Sequence, residues 1–173
     1  HFCPDYMEDL SKLSELLAFP KEVVLLSHRN PDGDAIGSCL ALSLYLQGKG
    51  HKTSVLFPSE YPLAFEWMPQ SEEIIIYDLT PSVAENAIQK AQIIFCLDFN
   101  SLDRIDKMGL KVHVSNVPKV LIDHHLDPEP FADLVFSNTS YSSTSEIVYH
   151  IIKQLEPSKP ISRLIADCLY TGI

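Results

Sequence analysis

The stretch VVLLSHRNPDGDAIGS, Val23 to Ser38, reads as a strand that passes through a polar loop into a helix. Val23 to Leu26 is short, apolar and partly β-branched, as a buried strand requires. Ala35 to Leu46 reads as the helix that follows, and the loop between them gathers His28, Asp32 and Asp34. The alternation continues downstream. Thr53 to Phe57 and Ile74 to Tyr77 read as strands, Pro81 to Ala91 as a helix with proline in its first turn, and Ile93 to Leu97 and Val120 to Ile122 as strands. Upstream, Met7, Leu10, Leu13, Leu16 and Leu17 repeat at helical spacing behind a capping box of Asp5 and Glu8. Ser143 and Glu146 form a second box, opening a helix through Ile147, Ile151, Ile152 and Leu155, and Ile161 to Ile173 predicts one more.

Short apolar strands alternating with helices predict an α/β fold with a mainly parallel sheet, helices on both faces and right-handed crossovers. In such sheets ligands bind beyond the carboxyl ends of the strands. Three of the four clearest strands run directly into metal-competent side chains there: the His28 loop after the first, Asp98 after Leu97, and Asp123, His124 and His125 after Ile122. Side by side, these ends bring aspartates and histidines spread from His28 to His125 into one crevice. A set that mixes carboxylate oxygen with imidazole nitrogen suits manganese or a similar first-row ion, with magnesium or cobalt as substitutes. Two such ions bridged by a carboxylate would neutralise the charge that builds on a phosphate.

The composition narrows the partners. A chain of 173 residues, 46% of them hydrophobic, can build one core. With 13 Lys and Arg against 23 Asp and Glu, a basic face for long duplex nucleic acid is not expected, and an anionic substrate needs local cations. No apolar run has the length of a membrane span and no secretory leader is visible, so a cytoplasmic location is expected. Cys3, Cys39, Cys96 and Cys168 form no CxxC pair, and Cys39 and Cys96 sit in apolar runs as buried thiols would.

The run SHRNPDGDAIGS at Ser27 to Ser38, the lone Asp98 and the Asp-His-His at Asp123 to His125 resemble the first three motifs of the DHH phosphoesterase superfamily. The resemblance spans almost the whole chain. PDGDAIGS, the Ser-Thr-Ser-Glu at Ser143 to Glu146 and the terminal Leu-Tyr-Thr-Gly-Ile are most similar to the branch of nano-RNases, 3'-phosphoadenosine 5'-phosphate phosphatases and cyclic dinucleotide phosphodiesterases. It implies that His28 and Asp32 bind a first metal, Asp34 and His124 a second, and Asp98 both. It further implies that His125 faces the substrate phosphate and that Asp123 orients a histidine ring from behind. The implied activity is hydrolysis of phosphodiesters or phosphomonoesters in very short single-stranded RNA or small nucleotides. Cyclic dinucleotide, polyphosphate or pyrophosphate hydrolysis are the neighbouring alternatives, and a degenerate nucleotide-binding regulatory module is the non-enzymatic one; a homodimer is a further arrangement to test. The family's fourth motif supplies one more aspartate past Ile173 and a C-terminal domain contacts substrate, so the isolated chain is expected to hold its second ion poorly and to be inactive.

Each feature has a plainer reading. Asp32-Gly33-Asp34 alone is a common turn, though not a calcium loop, since Ile36 and Ser43 stand where that loop needs oxygen ligands. Arg104 can clamp phosphate or pair with Asp103 or Asp106. Gly37 and Ser38 can approach a ligand at a helix start or serve packing. His1, His51, His113 and His150 read as surface or structural histidines, and Trp67 with Met68 as cover for the core.

Overall fold

The computed structural model describes residues 4–173, with side chains described from Glu8 onward. Among these residues six parallel strands form one sheet: β1 (Glu22–Leu26), β2 (Lys52–Phe57), β3 (Ile75–Ile76), β4 (Ile93–Leu97), β5 (Lys119–Asp123) and β6 (Leu134–Ser137). Their order is β3-β2-β1-β4-β5-β6. The chain therefore steps outward in one direction from β1 and in the other from β4. Connections leaving these neighbours diverge, and a crevice opens at the carboxyl ends between them.

Both faces of the sheet are covered, and the period-2 alternation of each strand divides the core. Val23, Leu25, Phe95, Leu97 and Ile122 face α1 (Pro4–Leu16), α2 (Gly33–Gly48), α5 (Thr144–Leu155) and α6 (Arg163–Gly172). Val24, Leu26, Ile94, Cys96 and Leu121 face α3 (Pro81–Lys90) and α4 (Lys107–Val114). Cys39, Cys96 and Cys168 are free and buried. The box expected of Asp5 and Glu8 rests on a side chain outside the described residues.

The strands over 22–26, 52–57, 93–97 and 119–123 lie where their apolar runs predict. The expected strand from Ile74 to Tyr77 is shorter. Residues Ser71–Glu73 form a 3₁₀ turn and the Ile74 amide bonds back to the Ser71 carbonyl, so pairing begins only at Ile75. Two elements, α4 and β6, carry no clear sequence signal. Helix α4 is eight residues long with Gly109 inside it, where a Cβ would stand 2.4 Å from the Leu102 carbonyl oxygen. Strand β6 has four residues, alternately buried and open.

Helix α2 packs tightly on α6. A Cβ on Gly37 would lie 2.5 Å from the Cys168 carbonyl oxygen, which assigns that glycine to helix packing. His51 is buried, its Nδ1 accepting from the Lys21 amide at 3.2 Å, and burial lowers its pKa. Met68 is buried as core cover, but Trp67 is not: the residue is 61% exposed.

Candidate metal centre

The loop after β1 turns sharply because Pro31 follows Asn30, which adopts φ +53°, and because the Arg29 amide is tied to the Arg104 carbonyl at 2.9 Å. His28 is thereby buried at the strand end. Its Nδ1 lies 2.8 Å from the Arg29 carbonyl, which can only accept, so Nδ1 carries the proton and Nε2 the lone pair. That Nε2 stands 3.4 Å from Asp98 Oδ2. Asp32 caps α2, with Oδ1 accepting from the amides of Asp34 at 3.0 Å and Ala35 at 3.1 Å. His28, Asp32 and Asp98 each offer a ligand atom, all within 4.8 Å of one another.

Asp98 ends β4 at φ +62°, a left-handed turn that aspartate tolerates better than most residues. Its amide still bonds to the Ile122 carbonyl at 3.0 Å, which holds it beside the end of β5. There Asp98 Oδ1 lies 3.6 Å from His124 Nε2 and 3.9 Å from His125 Nδ1. The two oxygens of one buried carboxylate thus face opposite halves of the crevice. His124 Nε2 also lies 3.8 Å from Asp34 Oδ2. His125 Nδ1 is 2.7 Å from Asp123 Oδ1, which holds the ring from that side, and His125 joins Asp98 and His124 in a second group whose ligand atoms lie within 4.8 Å of one another.

The electrostatics call for a cation. Asp34, Asp98 and Asp123 are mostly or wholly buried, and among the described residues no Lys or Arg pairs with them or with Asp32. Burial and the charge of Asp98 push the Asp34 carboxyl up to about 6, despite hydrogen bonds from Ser145 and Thr144 that pull the other way. Burial opposes a proton on His28, yet the Asp98 carboxylate and the Arg29 carbonyl outweigh it and raise its pKa. Asp123 Oδ2 is buried without a hydrogen-bond partner. Carboxylate oxygens and imidazole nitrogens, with no thiolate among them, fit one or two divalent first-row ions.

Helix α5 adds contacts that sequence reasoning did not foresee. Ser143 caps it, accepting from the Glu146 amide at 3.1 Å, while Glu146 reaches back to Ser142 rather than to Ser143. The amides of Thr144 and Ser145 donate to Asp34 Oδ2 and Oδ1 at 2.7 and 2.8 Å, and the Thr144 hydroxyl donates to Asp98 Oδ1 at 2.9 Å. The sequence signals there were the capping box, which announces a helix start and hence a row of free amides, and the Ser-Thr-Ser-Glu wording of the family resemblance.

Two expected substrate contacts part ways. Ser38 is fully buried and its hydroxyl donates to the Asp34 carbonyl at 2.6 Å. Arg104 is exposed. Its presumed partners are engaged elsewhere, Asp103 with Ser101 and Asp106 with Arg29, and its guanidinium has no partner among the described residues.

Relatives share this frame. The bifunctional oligoribonuclease and PAP phosphatase NrnA of Bacillus subtilis is 27% identical over 164 residues, covering 94% of this chain and 48% of that protein. The cyclic-di-AMP phosphodiesterase PdeA of Listeria monocytogenes is 27% identical over 169 residues, covering 93% of this chain and 25% of that one. The crystal structure of an exopolyphosphatase-related protein from Bacteroides fragilis superimposes with a TM-score of 0.93 at 38% identity, over 96% of this chain and 49% of its own. The chain thus spans half or less of the length of these relatives. Residues 22–173 match the N-terminal domain of the DHH family, from β1 to the end of α6, and the chain belongs to that family.

Proposed function

We propose that this domain is the metal centre of a cytoplasmic phosphohydrolase acting on short single-stranded oligoribonucleotides or on small nucleotides such as 3'-phosphoadenosine 5'-phosphate, with manganese as its working ion. The observation that carries the reading is Asp98, buried between β1 and β5 with one oxygen toward His28 and the other toward His124. Such a carboxylate suits two cations held side by side. His28 through Nε2, Asp32 and Asp98 would hold one; Asp34, His124 and Asp98 the other. Bound there, divalent ions supply charge neutralisation for a phosphate and acidify the attacking water.

The chain's own residues supply the rest. His125, pinned by Asp123, turns Nε2 toward a phosphate or leaving oxygen. Arg104 offers an uncommitted guanidinium on the loop that the Arg29 amide ties to the end of β1. The net charge of −10 leaves long duplexes unfavoured, and among the described residues no helix is long and apolar enough to cross a membrane. Substrate choice among phosphates belongs to surfaces outside this centre, since the ions treat bridging phosphates alike.

A cyclic dinucleotide is the second reading, supported by an identity to PdeA equal to that to NrnA. The test is manganese-dependent hydrolysis by the full-length protein of dinucleotide RNA, 3'-phosphoadenosine 5'-phosphate, cyclic di-adenylate and pyrophosphate. The first two should turn over fastest and pyrophosphate slowest. Tight nucleotide binding without product from any of them would point to a regulatory module.

A further inference from the structure

Residue 144 touches the centre twice. Its amide donates to Asp34 Oδ2 and its hydroxyl to Asp98 Oδ1. These are the two oxygens that flank His124 Nε2, at 3.8 and 3.6 Å. Thr144 is fully buried, and its hydroxyl bond to Asp98 is closed to solvent. A carboxylate oxygen has two lone-pair directions; occupying one leaves the other as the direction in which a ligand can be held. The hydroxyl on Oδ1 also fixes the plane of the Asp98 carboxylate, and with it the direction of Oδ2 toward His28. No bond from residue 144 reaches His28 or Asp32.

We propose that Thr144 is a positioning residue that sets the spacing and plane of the Asp34 and Asp98 carboxylates, and thereby whether a second divalent ion can share Asp98 with the first. The proposal rests on the reading of the crevice as a two-ion centre. Threonine fits the task because its β-branched side chain is stiff about χ1, so the hydroxyl is held in place by the backbone itself. The Ser145 amide on Asp34 Oδ1 completes a two-point grip that stops that carboxylate rotating. Hydrogen-bond partners behind metal ligands act in this way, and their loss weakens binding by about 10–100-fold.

The experiment is a manganese titration of the full-length protein as wild type, Thr144→Val and Thr144→Ser, followed by calorimetry and by electron paramagnetic resonance. Valine keeps the shape, the branching and the amide but removes the hydroxyl. The tighter ion, which keeps His28 and Asp32, should weaken less than about tenfold in Thr144→Val, while the weaker one loses about 10–100-fold in affinity. The spin-coupled signal of a carboxylate-bridged pair should be lost at ion concentrations that saturate the wild type. Thr144→Ser should restore the coupling and most of the affinity. Equal weakening of both ions, unchanged coupling in Thr144→Val, or a serine variant no better than valine would each overturn the proposal. If Thr144→Val does not fold, the serine variant against Thr144→Cys gives the same comparison, since a thiol is a poor donor. A wild type that binds no manganese would remove the two-ion reading itself, whereas a wild type that binds two beside an unaffected Thr144→Val would remove only the role of Thr144.

Discussion

The two halves of the centre are built by different means. On the His28 side the chain supplies its own geometry: the histidine and Asp32 lie in one loop, and Asp32 is held by the first amides of the helix it caps. On the His124 side nothing is local. Asp34 comes from α2, Asp98 from β4 and His124 from β5, and the carboxylates are oriented by α5, whose bonds to Asp34 span 110 and 111 residues. The first half is preorganised by sequence neighbours, and the second depends on how two helices dock. Substitutions should therefore discriminate between the halves, except at the residue they share.

That residue should give the largest effect. Asp98→Asn keeps a side chain that tolerates the left-handed backbone at this position, where alanine would add strain. It removes the charge both halves use, so turnover of the full-length protein should fall about a thousandfold or more while circular dichroism stays native. Near-normal manganese-dependent turnover would show that the halves do not share it.

Next come the adjacent histidines. His125→Ala should lower turnover about a hundredfold or more with little change in manganese affinity, because its Nδ1 is already engaged by Asp123. His124→Ala should chiefly lower manganese affinity. Calorimetry beside steady-state kinetics separates them, and equal metal loss in both would place His125 among the ligands.

A smaller effect should come from behind the second half. A Cβ on Gly172 would lie 2.0 Å from Ser145 Oγ and 3.1 Å from Asp34 Cα. Gly172→Ala should cost about 1–3 kcal/mol in chemical denaturation and weaken the second ion before the first. Loss of both ions in parallel would mean that the two halves are not separable.

The smallest expected effect is in pH. The Asp34 carboxyl rises from 3.8 to about 6 in the ion-free fold, so the folded state holds the proton more tightly than the unfolded chain. Its favourable contribution is complete below the unfolded value and disappears as pH rises through about 6. Relative to Asp34→Asn, the wild type in chelator should gain about 1 kcal/mol of unfolding free energy between pH 7 and pH 5. A flat difference would mean that Asp34 is not under this load.

The sheet was legible because a strand buried on both faces must be a short apolar run, and Ile93 to Leu97 begins and ends where the observed strand does. Helix α4 was not, since Gly109 inside eight residues looks like a breaker until its fit against Leu102 is seen. The gathering of carboxylates and imidazoles in one crevice could be read because a parallel sheet places the carboxyl ends of its strands side by side. The grip of α5 could not, because main-chain amides look the same under any side chain. At Ser38 the sequence suggests a backbone approach at a helix start, and what only the fold shows is that its hydroxyl is spent on the carbonyl of Asp34.

The reach of the α5 bonds also bears on the order of events during synthesis. The loop with His28 and Asp32 leaves the ribosome long before Asp98, and Asp98 well before Thr144, which joins it across 46 residues. A nascent chain thus displays isolated carboxylates and imidazoles before the assembled crevice exists. The complete set of donors is therefore in place only in molecules whose fifth strand and fifth helix have already docked.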